Sequence, residues 1–259
     1  MPFEYYFLLG SAFVLGAVVG SFLNVCIYRI PAGKSIVSPP SSCPHCGHRI
    51  RWFQNIPIFS YLFLVGKCAG CGQKISLRYP IIEGLTGGLF VLVLYYFGLS
   101  PATIVYWIFV ASLVVITFID LDHQIIPDVI SLPGIVIGFA CTFAVPWVTW
   151  FDSLLGIALG GGLLLSIAWV YQFLTKREGM GGGDIKLLAM LGAFLGWKAI
   201  FPLIFIASLC GTFVGLPLML IRRENTRLAL PFGPFLAVSA IIVLLWGPRL
   251  ISWYLNFLR

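Results

Sequence analysis

Two stretches of the 259-residue sequence set carboxylates against long apolar runs. One is Thr117-Phe118-Ile119-Asp120-Leu121-Asp122-His123-Gln124-Ile125-Ile126-Pro127-Asp128, and the other is Gly179-Met180-Gly181-Gly182-Gly183-Asp184-Ile185-Lys186. Ionised Asp is expensive in hydrocarbon, so acidic groups there usually line a water-accessible functional cavity. Two carboxylates within a few ångströms share a proton and titrate as a unit. The ionised member can deprotonate a water while the protonated one polarises a peptide carbonyl, which is aspartic-protease chemistry. The glycines before Asp184 remove side chains from the path of an approaching extended backbone. The plainer alternative is that these aspartates are helix caps or solvated interface groups. Asp128, between Pro127 and an apolar run, fits an N-cap. Asp122 and His123 read as interface residues or as support near the water. Lys186 has three open readings: binding a substrate carboxylate, biasing the pair's protonation, or snorkelling to the surface.

A second cluster has metal-ligand spacing. Cys43-Pro-His-Cys46-Gly-His and Cys68-Ala-Gly-Cys71-Gly are two CxxC pairs with 21 residues between them. Each pair folds into a knuckle whose sulfurs face one point, with Gly47 and Gly72 closing the turns. Four thiolates so placed satisfy a tetrahedral Zn²⁺ and leave no position for water, a structural rather than catalytic site. Two disulfides are the alternative, which a reducing cytoplasm disfavours. His45 and His48 could replace a thiolate, but such residues more often lie beside the knuckle, and they are not counted as ligands. Cys26, Cys141 and Cys210 sit in apolar runs as packing residues.

The elements that must carry these groups are membrane helices. Hydrophobic residues make up 60% of the chain and charged residues 10%, with mean hydropathy +1.01. A soluble domain needs roughly a quarter of its residues charged, so lipid must be the solvent. At about 20 apolar residues per crossing, the punctuation gives an all-α polytopic membrane protein with about eight transmembrane helices. They run near 5–28, 80–98, 102–121, 129–147, 153–174, 185–197, 199–221 and 231–255. The sixth is short enough to be a half-helix or an obliquely buried segment. The first lacks a preceding basic region and reads as a transmembrane helix rather than a cleavable signal. Tandem glycines at Gly87–Gly88 and Gly160–Gly162 suit close helix packing. Three parts follow: the first helix in 1–29, a cytoplasmic four-cysteine zinc-binding loop domain in 30–79, and a transmembrane core in 80–259.

Basic residues set the orientation. With the N-terminus outside, thirteen of the sixteen Lys and Arg residues fall on the cytoplasmic side. They are Arg29, Lys34, Arg49, Arg51, Lys67, Lys74 and Arg78 in the first loop, Lys176, Arg177 and Lys186 in the second, and Arg222, Arg223 and Arg227 in the third. Lys198, Arg249 and Arg259 remain outside. The first loop, at about 50 residues, is short enough for this rule to count. The bias accounts for the net charge of +7 without invoking nucleic acid. It also puts both acidic stretches at the cytoplasmic edge, at equal depth.

At these residues the chain resembles the type IV prepilin peptidase / N-methyltransferase family of GxGD intramembrane aspartyl proteases. The resemblance covers nearly the whole chain. It rests on the two CxxC pairs, Arg78-Tyr79-Pro80-Ile81-Ile82-Glu83, the Phe118–Asp128 run and Gly181-Gly182-Gly183-Asp184, in this order and spacing. It implies that Asp120, seven residues before the motif's proline, and Asp184 are the catalytic pair. Sequence geometry alone leaves Asp122 open beside Asp120. It also implies substrates: type IV prepilins and type II secretion pseudopilins, cut after a glycine on the cytoplasmic side of the bacterial inner membrane. N-methylation of the new terminus from S-adenosylmethionine is implied as well, because the four-cysteine loop is typical of bifunctional members. No glycine-rich strand–helix signature marks the cofactor site. Glu83 is a candidate for binding the substrate amine or the cofactor, or else a solvated helix-end carboxylate. The oligomeric state is not legible.

Two other classes compete. A non-catalytic scaffold of a pilus or secretion system would need no paired carboxylates and would keep its function with Asp120→Asn. A proton-coupled transporter would place its acidic groups near the bilayer midplane rather than at one edge.

Overall fold

The computed structural model describes residues 3–176, 181–222 and 230–257. Gly179 and Met180, together with Arg177, Arg223, Arg227 and Arg259 of the charge count, lie outside the described residues. Nine α-helices are present among the described residues: α1 (Phe3–Arg29), α2 (Phe59–Phe63), α3 (Arg78–Phe97), α4 (Pro101–His123), α5 (Asp128–Ala140), α6 (Trp150–Thr175), α7 (Gly182–Leu195), α8 (Ile200–Arg222) and α9 (Gly233–Phe257). The only extended pairing among them is two isolated bridges, Ser42 with Arg49 and Lys67 with Lys74.

Among the described residues, five helices are long and apolar enough to cross a membrane: those within Glu4–Arg29, Arg78–Phe97, Pro101–His123, Trp150–Thr175 and Trp197–Met219. Their outward faces carry large apolar side chains in the open, among them Phe7, Val14, Ile104, Phe173 and Phe213. Lipid tails cover such faces at no hydrophobic cost. The expected sixth crossing is α7, 14 residues long, or about 21 Å at 1.5 Å per residue. That is shorter than the hydrocarbon thickness. Every side chain from Leu187 to Phe194 is buried, so α7 is an enclosed short helix, as its length suggested.

The chain forms two compact units, Met1–Val115 and Ile116–Arg259, with α4 running through the division. In the first unit α1 lies on α3. A Cβ on Gly16 would stand 2.8 Å from the Gly87 Cα, and one on Gly20 would stand 2.8 Å from the Glu83 Cα. The four-residue glycine spacing thus lets the two backbones meet, as small residues do between membrane helices. Trp107 of α4 stacks on Phe90 of α3 at 4.9 Å and donates its indole N–H to the Phe90 carbonyl.

In the second unit α7 is the hub. Met190 and Phe194 fill the space over Gly134 and Gly138 of α5. On the α6 side, Gly156 and Gly192 bring their backbones into contact, and a Cβ on Gly160 would meet the Leu188 carbonyl at 2.6 Å. The buried Ser153 hydroxyl donates to the Ala193 carbonyl at 2.8 Å. Of the tandem glycines, Gly87 and Gly160 make close approaches, whereas Gly88 and Gly162 face open space. Gly156→Leu is expected to force α6 off α7 at a cost of roughly 1–3 kcal/mol or more. Thermal unfolding in detergent should show a lowered midpoint, with Gly162→Leu close to wild type.

Candidate active site and metal centre

Three helix ends meet at one pole of the second unit: the last turn of α4 and the first turns of α7 and α9. Asp120 is buried, 4% exposed, and its Oδ2 accepts the Gly233 N–H of α9 at 2.9 Å. Asp122, two residues on, is exposed. A two-residue step turns a helix by about 200°, so only Asp120 looks into the unit. Gly181 precedes α7 in extended conformation, and Asp184 sits in the helix's first turn, where the N-terminal dipole favours a negative charge. Gly183 is required there, because a Cβ would stand 2.9 Å from that of Ile126. The half-buried Asp184 carboxylate lies close enough to Asp120 to interact with it electrostatically. The structure therefore brings both sequence-derived aspartates together.

Two expectations are corrected here. Asp128 is not an N-cap: Pro127 holds that position without a side-chain cap, and Asp128 is the first helical residue. Its carboxylate instead takes the Lys186 ammonium on both oxygens, at 2.7 and 2.8 Å. Lys186 accordingly ties α7 to α5 in an exposed ion pair, an arrangement outside its three earlier readings. Exposed pairs contribute on the order of 1 kcal/mol or less, so this one sets position more than stability.

Gly233 was missed in the sequence. A Cβ there would stand 2.6 Å from the Asp120 Oδ2, so glycine is what allows the carboxylate to reach the backbone N–H. The local signal was Pro231-Phe232-Gly233-Pro234, which reads only as a helix start. Nothing in it points to a residue 113 positions earlier.

The loop between α1 and α3 gathers Cys43, Cys46, Cys68 and Cys71, with all four sulfurs within 4.8 Å of one another. The two knuckles repeat one pattern. Gly47 donates to the Cys43 carbonyl and Gly72 to that of Cys68, both at 2.9 Å, and both glycines have positive φ, +70° and +72°. Cys43 donates to His48 and Cys68 to Gln73. The Sγ separations are 3.9 Å for Cys43–Cys71 and 4.0 Å for Cys46–Cys68. Tetrahedral ligands about 2.3 Å from zinc stand about 3.8 Å apart, so the donor set fits. The N–H groups of Cys46 and His45 hold the Cys43 thiol down at about 6. Those of Cys71 and Gly70 lower Cys68 as well. At Cys46 the His48 N–H pulls down, but the Cys71 sulfur, burial and the other two sulfurs push the thiol up to about 12. Four such sulfurs are all thiolates only with a cation among them. His45 and His48 are not in the cluster; the His48 ring packs against Gly70.

Glu83 is buried within α3, 7% exposed. Its carboxylate accepts the Ile58 N–H at 2.7 Å and a hydrogen bond from Ser21. It is a clamp between α1, α3 and the loop rather than a solvated helix end.

Apolar helices, a buried acid meeting a second at a helix start, and a four-sulfur loop define a polytopic membrane protein with a carboxylate-pair site. Residues 14–97 match the Bacterial Peptidase A24 N-terminal domain, and residues 107–216 match the Type IV leader peptidase family. A relative from Aeromonas hydrophila is 38% identical, the match covering 100% of this chain and 97% of the relative. One from Neisseria gonorrhoeae is 40% identical, covering 96% of each. A third, from Myxococcus xanthus, is 43% identical over 83% of this chain and 66% of that protein. All three are named prepilin leader peptidase/N-methyltransferase. No solved structure matches the chain. The chain belongs to the type IV leader peptidase family.

Proposed function

We propose that this protein is a prepilin leader peptidase and N-methyltransferase of the bacterial inner membrane, with Asp120 and Asp184 as its catalytic pair. The observation that carries the reading is Asp120, buried at a helix end, held by one backbone N–H and close enough to a second carboxylate to interact with it electrostatically. Its substrates are prepilins and pseudopilins, as the family and the names of its relatives suggest. The prepilin's apolar segment lies along the enzyme's helices while the basic leader stays in the cytoplasm. Asp120 and Asp184 hold a water between them; one takes its proton while the other donates to the scissile carbonyl, and no covalent intermediate forms. Glycine before the cut lets the backbone bend toward the site.

The remaining topology belongs to the same proposal. The eight helices other than α2 are embedded, the short α5 and α7 among the longer ones, and the positive-inside bias puts the loop of residues 30–79 and both aspartates on the cytoplasmic side. Zn²⁺ is the metal that four thiolates select there, and its role is to hold the loop. S-adenosylmethionine supplies the electrophilic methyl group for the second activity.

The test is incubation of purified protein in detergent with a prepilin, followed by mass spectrometry. The reading expects release of the leader after glycine, and one added methyl group when S-adenosylmethionine is present. An intact prepilin after incubation with folded protein would move the scaffold reading to the front. For the metal, Cys43→Ser is expected to lose most bound zinc by elemental analysis. It should also make residues 30–79 sensitive to limited proteolysis, since structural zinc supplies folding energy.

A further inference from the structure

One concavity of the first unit has a volume of about 520 Å³. It lies between the second half of α1 and two loop stretches, 36–41 and 55–57. Pockets that enclose cofactor-sized molecules run from about 300 to 1,000 Å³. Its walls pair flat apolar surfaces, Phe22, Pro39 and Pro57, with three polar groups, Ser21, Arg29 and Asn55. We propose that this cavity is the binding site for the methyl donor S-adenosylmethionine, a proposal that rests on the methyl-transfer reading above.

The chemistry of the donor matches the walls. Its purine has flat apolar faces that suit Phe22 and the prolines, and a polar edge and ribose that suit Asn55 and Ser21. Its carboxylate suits Arg29, whose two terminal nitrogens are pinned by the carbonyls of Ser35 and Pro39 at 2.9 and 2.7 Å. That leaves a fixed positive charge at the rim. A bare hydrocarbon chain would have no use for these groups, and leaving them unpaired under it would be costly.

The wall is also built to stay in place. Ile58 adopts φ +63° and ψ −51°, and the Phe59 N–H closes a tight turn onto the Pro57 carbonyl at 2.6 Å. A β-branched residue in that region is strained, and such strain persists only where the surroundings over-determine it. The buried Glu83 supplies that constraint: it takes the Ile58 N–H beside the loop wall and the Ser21 bond on the α1 wall. Glu83 is thus a positioning residue of the site. The cavity falls inside the residues that match the N-terminal family model, whereas both aspartates fall inside the other.

The experiment is equilibrium binding of radiolabelled S-adenosylmethionine to the full-length protein in detergent, with ultraviolet cross-linking and peptide mapping of the label. Val25→Trp fills the cavity and Val14→Trp puts the same bulk on the exposed face of α1. Wild type and Val14→Trp are expected to bind alike, with Val25→Trp weaker by about tenfold or more, and the label should fall in 18–29 or 36–57. Unchanged binding by Val25→Trp, or label confined to the second unit, overturns the proposal. Should thermal melting show Val25→Trp unfolded, the position of the label in wild type decides alone. A wild type that methylates but is labelled elsewhere sinks only the cavity. A wild type that neither binds nor methylates sinks the methyl-transfer reading and the cavity with it.

Discussion

Asp120→Asn is expected to lower leader cleavage by roughly a thousandfold or more, while Asp122→Asn stays within a few-fold of wild type. The two residues are near neighbours in sequence and opposites in setting. Asp120 is buried, accepts the Gly233 N–H and interacts electrostatically with Asp184, whereas Asp122 is exposed. Asparagine keeps the shape of Asp120 and an oxygen for Gly233, but it can neither take a proton from water nor share one with Asp184. The loss should therefore appear in kcat with little change in KM, the pattern of an interaction made only in the transition state. Rates from single-turnover cleavage of a purified prepilin check it. Equal losses in the two variants would mean that the wrong aspartate has been assigned.

The second large effect is expected from Gly233→Ala. The residue is not at positive φ, so alanine is conformationally acceptable; the difficulty is local crowding. Its Cβ would stand 2.6 Å from the Asp120 Oδ2, so the carboxylate must turn away and give up the 2.9 Å bond to the backbone. Misplacing a reacting group by about 1 Å costs roughly a hundredfold in rate. A lost hydrogen bond to a charged acceptor costs about 1.5–3 kcal/mol, so the fold should survive with a modestly lower melting midpoint. Gly247→Ala, with only Val243 nearby at 3.3 Å, is the control in the same helix. A Gly233→Ala enzyme with wild-type kcat would show that the N-terminus of α9 does not position Asp120.

What the sequence made legible was whatever depends on composition or short spacing. A chain with 60% hydrophobic and 10% charged residues has to be lipid-facing. Two CxxC knuckles carry their geometry locally, and their sulfurs do converge. The shortness of the run after Asp184 foretold a helix that does not span alone. Long-range partners were not legible. Lys186 finds Asp128, 58 residues away, and the α7 backbone meets α6 through Gly156 and Gly192, each an isolated glycine in sequence. The choice between Asp120 and Asp122 depended on which side of α4 faces inward. That is set by α9 and α7, not by anything within the Phe118–Asp128 run.

The central claim is that Asp120 and Asp184 act as one catalytic unit, and the double variant tests it most directly. Cleavage rates of wild type, Asp120→Asn, Asp184→Asn and the two combined would be measured on one prepilin. Groups that act as a unit are strongly non-additive. The double variant should thus be no slower than the worse single variant, with all three near the uncatalysed background. Single variants that each retain substantial activity, with losses that multiply in the double variant, would show two independent contributions and contradict the shared-proton pair.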